Sequence, residues 1–332
     1  MLENQNIQTQ QNKRLAEIYK PIRNELALVQ NRLNEILSDN TKGLDELCEY
    51  VAHYKGKLLR PALLLISGAV CGNITNSHIE FAVILELIHL TTLIHDDVID
   101  EADMRRNRRV LNHLWGNQAS VLFGDFLLSK AFDLCNATED IDSARKISKT
   151  TEIICKGEIT QTLRKNDWKM AESEYMQIID RKTASLYKLC CNLGASLSHA
   201  KNTEILLLEN YGRYLGLAFQ IADDLLDINS NNSIIGKDTG RDLSQGKATL
   251  PVIHFLETAN KSDIETFFAL VEHAKDNLDK IRSLLESNKS ILYTRNKIDE
   301  LTILANKQIT NFPDCQPKQS LIQMSDFVAR RL

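Results

Sequence analysis

The sequence predicts an all-α fold, and three observations carry that prediction. Only 13 glycines and 5 prolines occur in 332 residues, well below the usual share of either. No proline lies between Pro61 and Pro251, where a sheet protein would need turn residues roughly every 8–12 positions. Apolar residues recur at steps of three and four, the period of a helix rather than a strand.

The elements follow in order. Ile22, Leu26, Val29, Leu33 and Ile36 form one apolar stripe, so a helix starts just after Pro21. Further helices are predicted over about 42–53, 59–71, 77–100, 116–137, 142–165, 172–198 and 203–229, with several more from 246 onward. The breaks are Ser38 to Thr41, Gly72 to Asn76, and Asn229 to Gly246. Several central stretches are apolar on more than one face, as in the middle of a large bundle. No repeat or linker divides the chain, so residues 1–332 are expected to form a single domain, with 1–18 a loosely attached N-terminal helix.

Lys plus Arg is 40 and Asp plus Glu is 44, a net charge of −4. That is not the basic footprint of nucleic-acid binding. Seven cysteines without a C-x-x-C spacing read as free thiols of a reducing compartment. The polar start, Met1 to Lys13, is not a signal peptide. Ile79 to Ile99 is apolar but carries Glu80, Glu86, His89, His95 and two aspartates, which argues against a membrane span. A cytoplasmic protein is expected.

Two segments stand out, His95-Asp96-Asp97-Val98-Ile99-Asp100 and Ala222-Asp223-Asp224-Leu225-Leu226-Asp227. Both are D-D-x-x-D, and both end apolar helical runs. At about 100° per residue, positions i, i+1 and i+4 fall within one arc, so the three carboxylates of each are expected on one face. Like charges there repel, and a hard cation such as Mg²⁺ relieves the repulsion while keeping sites for water and phosphate. A solvated acidic helix end is the alternative, which the repetition of the pattern disfavours. Basic residues flank both clusters: Lys57 and Arg60 before the first, Arg105-Arg106 and Arg108-Arg109 after it, Lys237 and Lys247 after the second. Singly these read as surface charges; jointly they suit two diphosphate groups. His89, two turns before Asp96, is either structural or a ligand contact.

These segments resemble the trans-type isoprenyl diphosphate synthases, in particular the long-chain, octaprenyl-like polyprenyl enzymes. The stretch Glu86 to Arg106 carries the resemblance. With it go Gly124-Asp125-Phe126-Leu127, Lys182-Thr183, Phe219-Gln220-Ile221-Ala222-Asp223-Asp224, and Gly236-Lys237-Asp238 through Gly246-Lys247-Ala248-Thr249-Leu250-Pro251. The resemblance implies an all-α bundle around a central cavity (isoprenoid synthase type), a homodimer, and head-to-tail extension of an allylic diphosphate by isopentenyl diphosphate. It also implies three Mg²⁺ per active site, held by Asp96, Asp100 and Asp223 with Asp97, Asp224 and Asp227 close by. The allylic diphosphate is then expected near Arg105, Lys182, Thr183, Gln220, Lys237 and Lys247, and isopentenyl diphosphate near Lys57, Arg60, His89 and Arg106. Among these, Asp96, Asp97, Asp100, Asp223 and Asp224 with Arg105, Lys182 and Gln220 are the expected catalytic group. The chain departs from the family pattern at Lys55, Leu58, Asn107 and Arg241. Arg241 stands where an acidic residue is frequent.

Product length should depend on what lies below the first cluster. Thr92 is one turn below Asp96 with Thr91 beside it, and both are small where short-chain enzymes are bulky. Ile88 and Leu85 follow, facing Leu134 and Cys135. An open tunnel and a product of hexaprenyl to decaprenyl length are expected, octaprenyl first; farnesyl or geranylgeranyl synthesis is the alternative. Threonines packed in a helix interface are the competing reading. A terpene cyclase or a regulatory subunit fits less well, given two complete aspartate clusters and the basic residues around the first. Such a product makes transient membrane contact for release an expectation.

Overall fold

A computed structural model describes residues 2–39, 41–52, 56–105, 108–229 and 239–330, and it is 81% helical. The first elements are α1 (Leu2–Ile18), a 3-10 turn over Lys20–Ile22, α2 (Arg23–Ile36), α3 (Leu44–Ala52), α4 (Leu59–Cys71) and α5 (Asn76–Ile99). A two-residue hairpin, β1 (Met104–Arg105) against β2 (Arg108–Arg109), leads to α6 (Leu111–Ala137) and α7 (Ile141–Leu163). Then come α8 (Glu172–Ile179), a π-helical turn over Asp180–Ala184, α9 (Ser185–Leu197) and α10 (Asn202–Asn229). The chain ends with α11 (Arg241–Ser244), α12 (Leu250–Thr258), α13 (Lys261–Val271), α14 (Ala274–Ser287), α15 (Ser290–Gln308) and α16 (Gln316–Ala329).

Burial explains the arrangement. Eight successive residues of α4, Pro61 to Gly68, are buried, as are eight of α5, Phe81 to Ile88. A helix apolar all round must be surrounded, and α5 packs against α2, α4, α6 and α9. The long α10 packs against α9, α15 and α16. Among the described residues α5 alone is long and apolar enough to span a bilayer, yet most of its apolar window is buried within the protein. α1 is docked at its end, where Leu15 and Ile18 are buried.

Two expected helices differ in detail. The helix expected from 116 begins at Leu111 and breaks at Gly116, whose φ of 82° and ψ of 164° are not helical. The helix expected over 172–198 is interrupted by the π turn at Asp180–Ala184. Such a bulge adds one residue without disturbing the apolar pattern on either side, and it is common at functional sites.

The first turn of α5 is fixed by a side chain. The Thr75 N–H donates to His78 Nδ1 at 3.1 Å, and His78 Nε2 lies 3.1 Å from the Gly194 carbonyl and 3.0 Å from Ser198 Oγ. At Gly194 α9 meets α4 backbone to backbone, and a Cβ there would lie 2.2 Å from the Leu64 carbonyl oxygen. Gly194→Ala is therefore expected to cost about 3 kcal/mol by overpacking, read as a lower urea midpoint. An unchanged midpoint would show that the two helices can separate freely.

Candidate active site

The clusters sit at the C-terminal ends of α5 and α10. Spacing of four brings Asp96 and Asp100 to one side of α5. Asp97 turns away, so the shared face expected for all three carboxylates does not exist. The one-residue offset, about 100°, puts Asp97 on the side of the hairpin, where it is buried. Arg105 Nε donates to both its oxygens at 3.0 Å, and Nη2 to Oδ1 at 2.8 Å. Arg105 is thus engaged with a buried aspartate.

Asp96 Oδ2 lies 3.8 Å from Lys182 Nζ. The same ammonium donates to Glu158 Oε2 at 2.8 Å and to Gln161 Oε1 at 3.0 Å. Lys182 reaches this position because the π turn lies directly against α7. A Cβ on Gly157 would come within 2.6 Å of the Lys182 nitrogen, so only glycine permits the approach. Burial alone would lower the Lys182 pKa, but Asp96, Glu158 and Asp100 outweigh it and hold it above the usual range. Burial and the neighbouring Asp96 push Glu158 up to about 7, against the pull of Lys182.

Asp100 caps α5 and is met by three side chains of the segment 241–247. Arg241 Nη2 and Gln245 Nε2 both donate to its carbonyl at 2.7 Å, and Lys247 Nζ donates to Oδ1 at 2.9 Å. Burial would raise its carboxyl, but Lys247, Lys182 and Arg241 keep it below the ordinary value.

In the second cluster Asp224 is buried and accepts from Tyr175 Oη and Gln220 Nε2, both at 2.7 Å. Gln220 Oε1 in turn accepts from Thr183 Oγ1 at 2.6 Å. Burial, with Asp242 and Asp223 nearby, raises the Asp224 pKa. Asp223 and Asp227 are half-buried, and Asp227 Oδ2 accepts the Asp242 N–H at 3.0 Å. The two clusters are therefore linked twice, through 239–247 and through the Lys182–Thr183–Gln220 chain.

The other expected residues lie elsewhere or behave differently. Lys57 Nζ donates to Gln11 Oε1 at 3.2 Å and sits 5.4 Å from the Phe327 ring, towards α1 and α16. The Arg60 guanidinium lies 5.1 Å from the Tyr187 ring centre. Leu58 caps α4 with a left-handed φ of 47°. His89 is half-buried on α5. Arg106, Lys237, Lys55, Asn107 and Gly236 fall outside the described residues. Thr91, expected to leave a tunnel open, is buried and donates to the Gly124 carbonyl at 3.2 Å, in the α5–α6 interface. Thr92 is half-buried and donates to the His89 carbonyl at 2.8 Å. Leu85, Ile88 and Cys135 are buried and Leu134 packs against the core. None of these lines the apolar pocket formed by Val51, Leu90, Leu93, Ile94, Asp97 and Leu111.

Sequence reasoning missed Glu158, Gln161, Tyr175, Asp242 and Gln245. Glu158 and Gln161 share a helix face three apart, but so do many surface pairs. The signal was Gly157 beside them, a glycine within a helix.

The end of each of two long helices thus carries a D-D-x-x-D cluster inside an all-helical bundle, with Lys182 and Lys247 on the first and Gln220 on the second. A model of the polyprenyl synthetase family matches residues 41–287. The chain is 31% identical over 309 residues to octaprenyl diphosphate synthase of Escherichia coli, covering 92% of this chain and 96% of that one. It is 32% identical to geranylgeranyl diphosphate synthase of Methanosarcina mazei over 96% and 99% of the two chains. Its fold superimposes on a polyprenyl synthase from Caulobacter crescentus, described as complexed with calcium and isoprenyl diphosphate, with a TM-score of 0.90. The identity is 27%, and the alignment covers 96% of this chain and 98% of that one. The chain belongs to the polyprenyl synthetase family and has the all-α isoprenoid synthase fold.

Proposed function

We propose that this chain extends an allylic diphosphate with isopentenyl diphosphate, head to tail, to a long polyprenyl diphosphate, with octaprenyl the expected length. The observation that carries the reading is the convergence of Lys182, Lys247 and Gln220 on the aspartates of both helix ends. A resident Mg²⁺ fits the donor chemistry, since every acidic group there offers hard oxygen. Asp96, Asp100, Asp223 and Asp227 would hold it, three ions per site being the expectation. When bound, it offsets the charge that develops on the leaving diphosphate.

The chain's own residues do the rest. Lys182 and Lys247 are held in place by carboxylates and can transfer their N–H donors to phosphate oxygens. Thr183 and Gln220 form a fixed polar rail beside them. Arg60 and His89 are the described candidates for isopentenyl diphosphate, with Lys57 requiring a change of direction. The apolar interior excludes water, which would otherwise trap the allylic cation as an alcohol. The proton lost after carbon–carbon bond formation passes to the departing diphosphate, so no protein nucleophile is needed.

Purified chain, labelled isopentenyl diphosphate and a series of allylic primers test this directly. Turnover without a second protein excludes the regulatory-subunit reading, and a cyclic product from the primer alone would sink the prenyltransferase reading. The 32% identity to a geranylgeranyl synthase supports a shorter product as the second reading. Thr92→Tyr is expected to shorten the product distribution, read by chromatography of the dephosphorylated alcohols. An unshifted distribution would remove Thr92 from the tunnel wall. Exposed Leu114, Val121 and Leu122 on α6 support a homodimer, and a cytoplasmic enzyme that touches membranes to release product completes the proposal.

A further inference from the structure

We propose that Arg241 is a fixed positive charge that, with Lys247, keeps the first aspartate cluster from capturing a divalent cation until a diphosphate arrives. The inference rests on the metal–diphosphate reading of the cleft given above.

Its first support is how firmly Arg241 is placed. The segment carrying it is tied at both ends: Gly240 donates its N–H to the Asp227 carbonyl at 2.8 Å, and the Gly246 carbonyl accepts from the Asn166 N–H at 2.7 Å. Gly240 has a φ of +71°, a conformation that strains any side chain. The guanidinium then donates to the Asp100 carbonyl at 2.7 Å, at the end of α5 where the helix dipole is negative. A guanidinium does not lose its proton at any working pH, so this charge cannot step aside by titration.

The second support is the pairing of the carboxylates. Asp96 has Lys182 at 3.8 Å, Asp97 has Arg105 at 2.8 Å, and Asp100 has Lys247 at 2.9 Å. Each acidic group of the first cluster therefore already faces a cation. Mg²⁺ sheds its waters reluctantly, and a site whose charge is already balanced gives it little reason to do so. A diphosphate changes the balance, since its oxygens compete for Lys182 and Lys247 and release the oxygens of Asp96 and Asp100. Arg241 is tied to a main-chain carbonyl, so it stays and sets the threshold.

The test uses the full chain, Mn²⁺ as the probe, and inorganic diphosphate, with metal retained by the protein measured after ultrafiltration. Arg241→Gln keeps an N–H donor towards Asp100 but removes the charge; Arg241→Met removes both; Arg241→Lys keeps the charge. Without diphosphate, the Gln and Met variants are expected to bind Mn²⁺ about tenfold more tightly than the unaltered chain, the scale of one charge a few ångströms away in a partly solvated site. Arg241→Lys should bind as weakly as the unaltered chain. Thermal midpoints taken alongside identify any variant that fails to fold, and one correctly folded neutral variant suffices. Equal Mn²⁺ affinity in the neutral variants and the unaltered chain overturns the proposal, as does tightening by Arg241→Lys. Failure of every form to retain Mn²⁺ even with diphosphate overturns instead the reading of the cleft on which it rests.

Discussion

Asp96→Asn should reduce kcat/KM for chain elongation by at least about a thousandfold, because it removes charge where the leaving diphosphate must be met. Asp96 is the member of the first cluster with least to do in the fold. Its carboxylate is 3.8 Å from Lys182, whose close donors go to Glu158 and Gln161 instead. The variant should therefore fold normally, with stability within about 1 kcal/mol of the unaltered chain. Asp223→Asn is expected to behave alike, since Asp223 is half-buried at the corresponding place on α10. Steady-state turnover of labelled isopentenyl diphosphate, with urea unfolding as the control, separates chemistry from folding. A loss below tenfold in a stable variant would show that the cleft does not use this carboxylate.

That contrast between Asp96 and its neighbour was only half legible in the chain. Long helices announce themselves through apolar residues repeated over several turns, which is why the expected spans of α5, α7 and α10 differ from the observed ones by at most two residues at either end. The two D-D-x-x-D segments are local patterns and could be read directly. Which way each aspartate turns could not, because a helix offers Asp96 and Asp97 different neighbours, and those neighbours come from distant segments. Arg105 reaches Asp97 only because the β1–β2 hairpin folds back along α5, and Lys182 reaches Glu158 only across the α7–π-turn contact. The π turn itself is silent in sequence. The 239–247 segment carries no periodicity, so its ties to Asp100 and Asp227 had no signal beyond Gly240, Gly246 and Lys247. Lys57 shows the same limit, since adjacency in the chain to Arg60 does not determine which cleft a long side chain enters.

Arg105→Met is expected to destabilise the fold by about 3–5 kcal/mol at pH 8, the usual effect of leaving a buried charge without its partner. Asp97 is 5% exposed, and its pair with Arg105 has side-chain exposures of 7% and 16%, so little solvent screens it. Burial raises the Asp97 pKa and Arg105 pulls it back down. Without Arg105 the upward shift grows. A carboxyl with a raised folded-state pKa favours the fold fully below its unfolded pKa and loses that contribution as pH rises through the folded value. The deficit of the variant should therefore be smaller at pH 5 than at pH 8, because lowering the pH favours the uncharged form of Asp97. Asp97→Leu combined with Arg105→Met should restore most of the loss, because a neutral apolar pair no longer needs solvation. Urea midpoints at the two pH values measure all three forms. A deficit of less than about 1 kcal/mol at pH 8, or one independent of pH, would mean that Asp97 is not held as a buried ion pair and remains available to the cleft. A pH-dependent deficit repaired by the double variant would instead assign Asp97 and Arg105 to the framework that holds the end of α5, leaving Asp96 and Asp100 to face the substrate.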